Sequence, residues 1–398
     1  MKSRLSLILI YSLISALTIA LAFCPAPAAA ELSADPQIRP LFKQGIEKIF
    51  NMDEKSGTAA FLQGIELDRE RPIGYAYLAM ANLFFLETSF ENTEREKRQE
   101  DMLRYAAEAI AKGEKRIEKD PRDGQAYFAM ALAKITRIRW YIAQRRFFAM
   151  TQETANVWDY LEKAKEEDPQ NYDVFFATGL LHFHLDQLPG FTRFFSSLLI
   201  TSGDRKRGLE ELTLAVQKGD LLKDLARAEL ASVYVNFEQK PEMALPYSKE
   251  LRDKYPNNYN FAFGLGNVLA DLKRSAEAFL VAAEIERGIK SGIPPYRPEL
   301  GTRHQLLMGR IYFEKGDYAR ALDYFQKVIQ VQARYNARPR ASAFVRLGMI
   351  ADVRKERKKA EEYYQKALEV EGGEGVAQTA AKQYLKTPYL LTKPDSKS

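Results

Sequence analysis

Residues 305–328 run QLLMGRIYFEKGDYARALDYFQKV, and residues 344–367 run FVRLGMIADVRKERKKAEEYYQKA. In the first stretch Gln305, Met308-Gly309, Tyr312, Ala321, Phe325 and Val328 recur at three- and four-residue steps, the period of helices with one packed face. In the second, Phe344, Leu347-Gly348, Ala351, Ala360, Tyr364 and Ala367 take the same places. Gly309 and Gly348 stand 39 residues apart because the Ala333–Arg340 turn is lengthened. Upstream, Ser232 and Gly266 are expected to share the small-residue slot one 34-residue period apart, as Ala244 and Ala278 share a slot in the following helix, with Pro256 closing the first unit.

The amino-terminal half repeats the pattern more loosely. Tyr75-x2-Leu78-Ala79, Tyr127-x2-Met130-Ala131 and Phe175-x2-Thr178-Gly179 each open a first helix, and Asp120-Pro121 and Asp168-Pro169 end the helices before two of them. A small residue lets the paired helices approach, an alanine in the second helix lets the next pair stack, and aromatic rings fill the space between. Strand-like alternation is almost absent after residue 30: Val233-Tyr234-Val235 and Leu198-Leu199-Ile200 both sit inside longer helical patterns. Proline- and asparagine-rich breaks at Pro256-Asn257-Asn258 and from Gly292 to Pro298 punctuate the helices. The expected fold is therefore all-α, a solenoid of helix pairs at 36–69, 72–121, 124–169, 171–219, 225–256, 259–290, 298–336 and 340–371, capped by a short helix near 375–386. The divisions follow: a signal peptide at 1–30, divergent repeats at 31–219, more regular repeats at 220–386, and a flexible tail at 387–398.

Over residues 36–386 the chain resembles the tetratricopeptide repeat superfamily, whose 34-residue unit carries these residue types in this order. A narrower likeness lies in Leu188-Pro189, an aromatic-rich linker, then Gly203-Asp204-Arg205 and Gly208-Leu209 before a helix. This is similar to the family of tetratricopeptide repeat protein thirty-nine and inclusion-body clearance proteins. An exported array of this size is also similar to the periplasmic T component of TRAP-type transporters. The superfamily resemblance implies a right-handed winding of the solenoid, and a scaffold or adaptor that holds a peptide or partner protein in its concave groove, with no cofactor.

The amino terminus points to export. Lys2 and Arg4 precede an apolar run from Leu5 to Phe23, and Ala28-Ala29-Ala30 supplies small residues at cleavage-site spacing before Glu31. Two alternatives stand beside cleavage after Ala30. The 19-residue run is long enough for an uncleaved membrane anchor, and Cys24 could carry a lipid, although Phe23 before it is bulky. All three place the remainder outside the cytoplasm, in a periplasm by the form of the signal. Of 398 residues one is cysteine, so no disulfide can form within the chain. The net charge of +6 falls to +4 beyond residue 30. The basic clusters Arg137, Arg139, Arg145, Arg146 and Arg205-Lys206-Arg207 have acids nearby, which argues for solvated helix faces and against a nucleic-acid partner.

Motifs for catalysis and cofactors are missing: no phosphate loop, HExxH helix, GxSxG elbow or EF-hand appears. Gly264-Leu265-Gly266 falls inside a repeat helix and is a packing feature. His182 and His184 are two apart, roughly 200° around a helix, and cannot share a ligand on one face; they and His304 are expected as ordinary helix histidines. No enzyme activity is expected. The candidate site is the concave groove. Offsets of one after and six before each small slot give Asn260, Asn267, Arg303, Arg310, Ser342 and Met349 at the carboxy-terminal end. Asparagine can bond a peptide backbone and arginine can fork onto a carboxylate. At the other end the same offsets give Ile73, Met80, Gln125, Leu132, Asp173 and Leu180, with Phe84, Phe128, Phe176 and Phe183 nearby. Either tight winding buries these as core, or an apolar ligand or partner segment lies there. In the Pro189–Ser202 insertion, Phe194 and Phe195 are further partner-binding candidates, as packed core or as a docking flap.

Overall fold

The computed structural model describes residues 35–144, 146–186, 203–373 and 375–390, and every regular element among them is a helix. In chain order these are α1 (Ile38–Phe50), α2 (Glu54–Leu67), α3 (Pro72–Thr88), α4 (Asn92–Lys119), α5 (Gly124–Ala143), α6 (Phe147–Thr154), α7 (Val157–Glu167), α8 (Val174–Asp186) and α9 (Arg205–Lys218). They continue with α10 (Lys223–Asn236), α11 (Pro241–Lys254), α12 (Tyr259–Asp271), α13 (Ser275–Ser291), α14 (Gly301–Glu314), α15 (Tyr318–Gln330), α16 (Ala337–Val353), α17 (Arg357–Glu369) and α18 (Val376–Lys386).

Aspartate and asparagine start many of them. Asp53, Asp123, Asp204 and Asp317 each accept a bond from the backbone N–H three residues on, filling a donor that the first helical turn leaves open. Helices then pair where small residues allow contact. A Cβ on Gly309 would lie 2.5 Å from the Phe325 ring, and one on Gly348 would lie 2.4 Å from the Tyr364 ring, so both rings pack on bare backbone. At Gly179 the partner is backbone itself, with Gly208 and Leu212 of α9 within 3 Å of the missing Cβ.

The register expected for α10 needs correction. Ser232 is exposed, while Ala231 is buried. The small slot is thus Ala231, one residue earlier, and Ser232 faces the inner surface. The helix is thus one place out of step with the 34-residue count, with Leu221 and Leu222 buried in the turn before it. A second correction concerns the tail. Residues 387–390 are held: the backbone N–H of Tyr389 bonds Asp352 at 2.8 Å, and its ring sits 5.5 Å from Tyr384 and 6.1 Å from Phe313.

The superhelix winds tightly enough for its first turn to meet its middle. Phe50, at the end of α1, packs 5.3 Å from Tyr255 and 5.8 Å from Phe261. Buried Asn258 donates its amide to the Phe50 carbonyl at 2.6 Å, and the Asn257 N–H bonds the Asn51 side chain at 3.1 Å. Arg39 of α1 forks onto Asp220, and the next residues are tied to Asp173, whose carboxylate accepts the N–H groups of Asp220, Leu221 and Leu222. Burial pushes the Asp173 carboxyl up to about 6. Farther along, Phe90 meets Tyr335 at 5.5 Å. The contacts of Arg39, Phe50, Asn51 and Phe90 join residues some 180–245 positions apart, and they divide the inner surface into two regions.

Candidate functional site

The carboxy-terminal region is an open groove of mixed polar and apolar lining. Its first hollow, about 430 Å³, is walled by Ser232 and Asn236 of α10, Asn260, Phe263 and Asn267 of α12, and Arg303 and Arg310 of α14. A second hollow of about 500 Å³ shares Asn236 and Arg310 and continues past Ser342, Arg346 and Met349 of α16 to Tyr384 of α18. All six carboxy-terminal positions chosen by helical offset therefore line this surface. They do so because successive first helices of each pair lie side by side with the same face inward.

Its arginines differ in how their charge is met. Arg310 donates to Asn267 at 2.8 Å and to Asp271 at 2.6 Å. Arg346 pairs with Glu314 at 3.1 Å and lies over the Phe313 ring. Arg303 has no carboxylate partner among the described residues. Its Nη1 donates to Asn260 at 2.9 Å, and the guanidinium rests 4.4 Å above the Phe263 ring and 5.7 Å from Tyr259. Burial lowers its pKa from the ordinary arginine value, but a guanidinium stays charged at any physiological pH. The groove thus holds one cation that is fixed in direction by a ring and an amide and lacks a counter-charge. Ser232, Asn236, Phe263, Asp271 and Arg346 escaped the sequence argument. Ser232 was hidden by the slipped register, and the others lie outside the two offsets used.

The amino-terminal region is different. Met80, Leu132 and Leu180 face a hollow of about 120 Å³ that Phe50, Phe84 and Phe176 also line. The six-before positions do not reach it: Ile73, Gln125 and Asp173 are buried between helices. Phe128 is likewise core. Phe183, expected near the groove, is fully buried and packs 5.5 Å from Phe237, because α8 turns that face toward the next pair. Phe194 and Phe195, with the rest of the Pro189–Ser202 insertion, lie outside the described residues.

The two histidines of α8 point in different directions, and each has a glutamate. His182 Nδ1 is 2.7 Å from Glu211 with Trp158 packed on its ring, and His184 Nε2 is 2.7 Å from Glu229. Neither pair was legible in the sequence, since the partners are 29 and 45 residues away. Four arginines of the basic clusters are also paired: Arg137 with Glu153, Arg139 with Glu87, Arg205 with Glu238 and Arg207 with Glu211. Among the described residues no group of three or more histidine, cysteine or acidic side chains is placed to hold a metal, and no helix is long and apolar enough to cross a membrane.

The model of the tetratricopeptide repeat family matches residues 302–370. No curated protein matches the sequence. Among solved structures, a human IFIT1 dimer with m7Gppp-AAAA is similar at a TM-score of 0.44 and 14% identity, covering 89% of this chain and 87% of that one. Yeast Tom70 is similar at 0.35 and 13%, covering 92% of this chain and 66% of that one. Likeness at these scores bears on nothing that this chain binds. The family match falls on α14 to α17, the units whose glycines seat Phe325 and Tyr364, and these two helix pairs carry the tetratricopeptide repeat pattern.

Proposed function

We propose that the protein is an exported, non-enzymatic scaffold whose carboxy-terminal groove holds an extended segment of a partner protein that bears a carboxylate. The observation that carries this reading is Arg303. A half-buried cation without a counter-ion is costly unless a ligand supplies one, and its ring and amide supports hold it ready for a forked bond. Asn260 and Asn267 stand at one-helix-turn multiples along α12 and can meet the donors and acceptors of an extended backbone. The groove's open form and its row of asparagine and arginine side chains favour an adaptor over a carrier of large apolar ligands, for which the 120 Å³ hollow is too small.

An array of extended peptides tests this. Acid-bearing peptides should bind the wild type, and Arg303→Ala should weaken them tenfold or more with the melting temperature unchanged. Binding indifferent to Arg303, Asn260 and Asn267 would remove the groove from consideration. Export rests on residues 1–30 alone. Amino-terminal sequencing of the protein from the cell envelope should find Glu31 first, whereas an intact membrane-bound chain would assign Leu5–Phe23 as an anchor.

A further inference from the structure

We propose that the amino-terminal hollow is a second, separate binding site, and that it takes a neutral, ring-sized apolar molecule. The hollow is bounded by α1, α2, α3, α5, α8 and α10, and its lining is aliphatic and aromatic except for Thr136, Glu87, Arg139 and the hydroxyl of Tyr77, which is buried with no hydrogen-bond partner among the described residues. Thr136 is not free to greet a ligand, because its hydroxyl donates to the Leu132 carbonyl at 2.8 Å. Water placed inside would find too few partners, since a buried water needs two to four polar contacts. At about 120 Å³ the space is close in volume to the roughly 150 Å³ apolar cavity that admits benzene, and it has an open mouth through which a ligand can enter. Drug-sized or lipid-sized ligands need about 300 Å³ or more.

The rim sets the charge of the ligand. Arg139 stands 3.7 Å from Glu87 and within electrostatic reach of Glu229, which itself bonds His184. Two carboxylates beside one guanidinium leave nothing to attract an anion, in contrast to Arg303. Neither wall is a loop: every lining residue except Leu222 lies on a helix, so the space is held open by packed elements that cannot collapse without breaking helix contacts.

Toluene and benzoate are the probes, a neutral and a charged monosubstituted benzene. Calorimetric titration of the full chain should show one saturable toluene site and at least tenfold weaker benzoate binding there. Ala81→Leu, which adds side-chain volume from α3 into the hollow, should weaken toluene at least tenfold. Should that variant fail to fold, Leu180→Ala provides the opposite change: it enlarges the space, so naphthalene, excluded by the wild type, should bind. Arg303→Ala should leave toluene affinity as it was, which separates this site from the groove. No saturable toluene binding by folded wild type overturns the proposal. So does binding that appears only in the Phe194→Ala, Phe195→Ala double variant, which would give the hollow to the chain's own aromatic insertion.

Discussion

Single glycines decide how closely paired helices lie. Gly309 and Gly348 each face an aromatic ring at a distance no Cβ could share, so the ring's position in the second helix depends on the missing side chain in the first. Leucine at either place should force the helices apart, at an overpacking cost of about 1–3 kcal/mol. The loss should be local, because a repeat touches mainly its neighbours. Hydrogen exchange is the measurement: protection should fall across 301–330 in Gly309→Leu and across 337–369 in Gly348→Leu. Unchanged protection in both variants would refute the slot assignment. These glycines were legible in the sequence because the residues around them kept phase; Ala231 was not, because an exposed serine beside it offered an equally small side chain.

Turns between paired helices share one backbone feature that composition hides. Gly316 has φ +82°, and the same place is taken by Met52 at +65°, Gln239 at +53°, Lys273 at +57° and Lys355 at +61°. Each is followed by the residue that caps or immediately precedes the next helix. Left-handed backbone is free for glycine and costs other residues about 1–2 kcal/mol. Gly316→Ala should therefore lower stability by about 1 kcal/mol. Lys355→Gly should be neutral or stabilising, since relief of that strain offsets the roughly 0.5–1 kcal/mol of chain entropy that glycine adds. Denaturant midpoints at constant slope would show both effects. A loss above about 1 kcal/mol in Lys355→Gly would contradict a left-handed turn there. Only glycine advertises such a turn; lysine, glutamine and methionine hold it because the flanking helices leave the chain no other path.

At the scale of the molecule, the contact of Phe50 with Tyr255 and Phe261 closes the first superhelical turn. Phe50 also lines the apolar hollow, while Phe261 lines the carboxy-terminal groove, so one aromatic seam separates the two. Truncating a buried phenylalanine to alanine costs about 3–5 kcal/mol. Phe50→Ala should raise hydrogen exchange together in 38–50 and 255–261, leave 337–369 protected, and expand the chain in solution scattering. Independent changes in the two segments would show that the seam does not hold the turn closed.

The sequence by itself determined the helical class, the pairing of helices, most of the small slots and the six inward positions of the carboxy-terminal groove. These follow from spacing along a single helix or between neighbours, where side-chain direction is set by the helical period. What only the tertiary structure decided lies between distant residues. That Arg303 lacks a carboxylate while Arg310 and Arg346 have one, that His182 and His184 find separate glutamates, and that Phe183 turns into the core all depend on which helix stands opposite. The closure that splits the inner surface into a groove of mixed lining and an apolar hollow is of the same kind. Small rotations between successive pairs accumulate over the array, and their sum, which no local pattern records, brings residue 50 against residue 258.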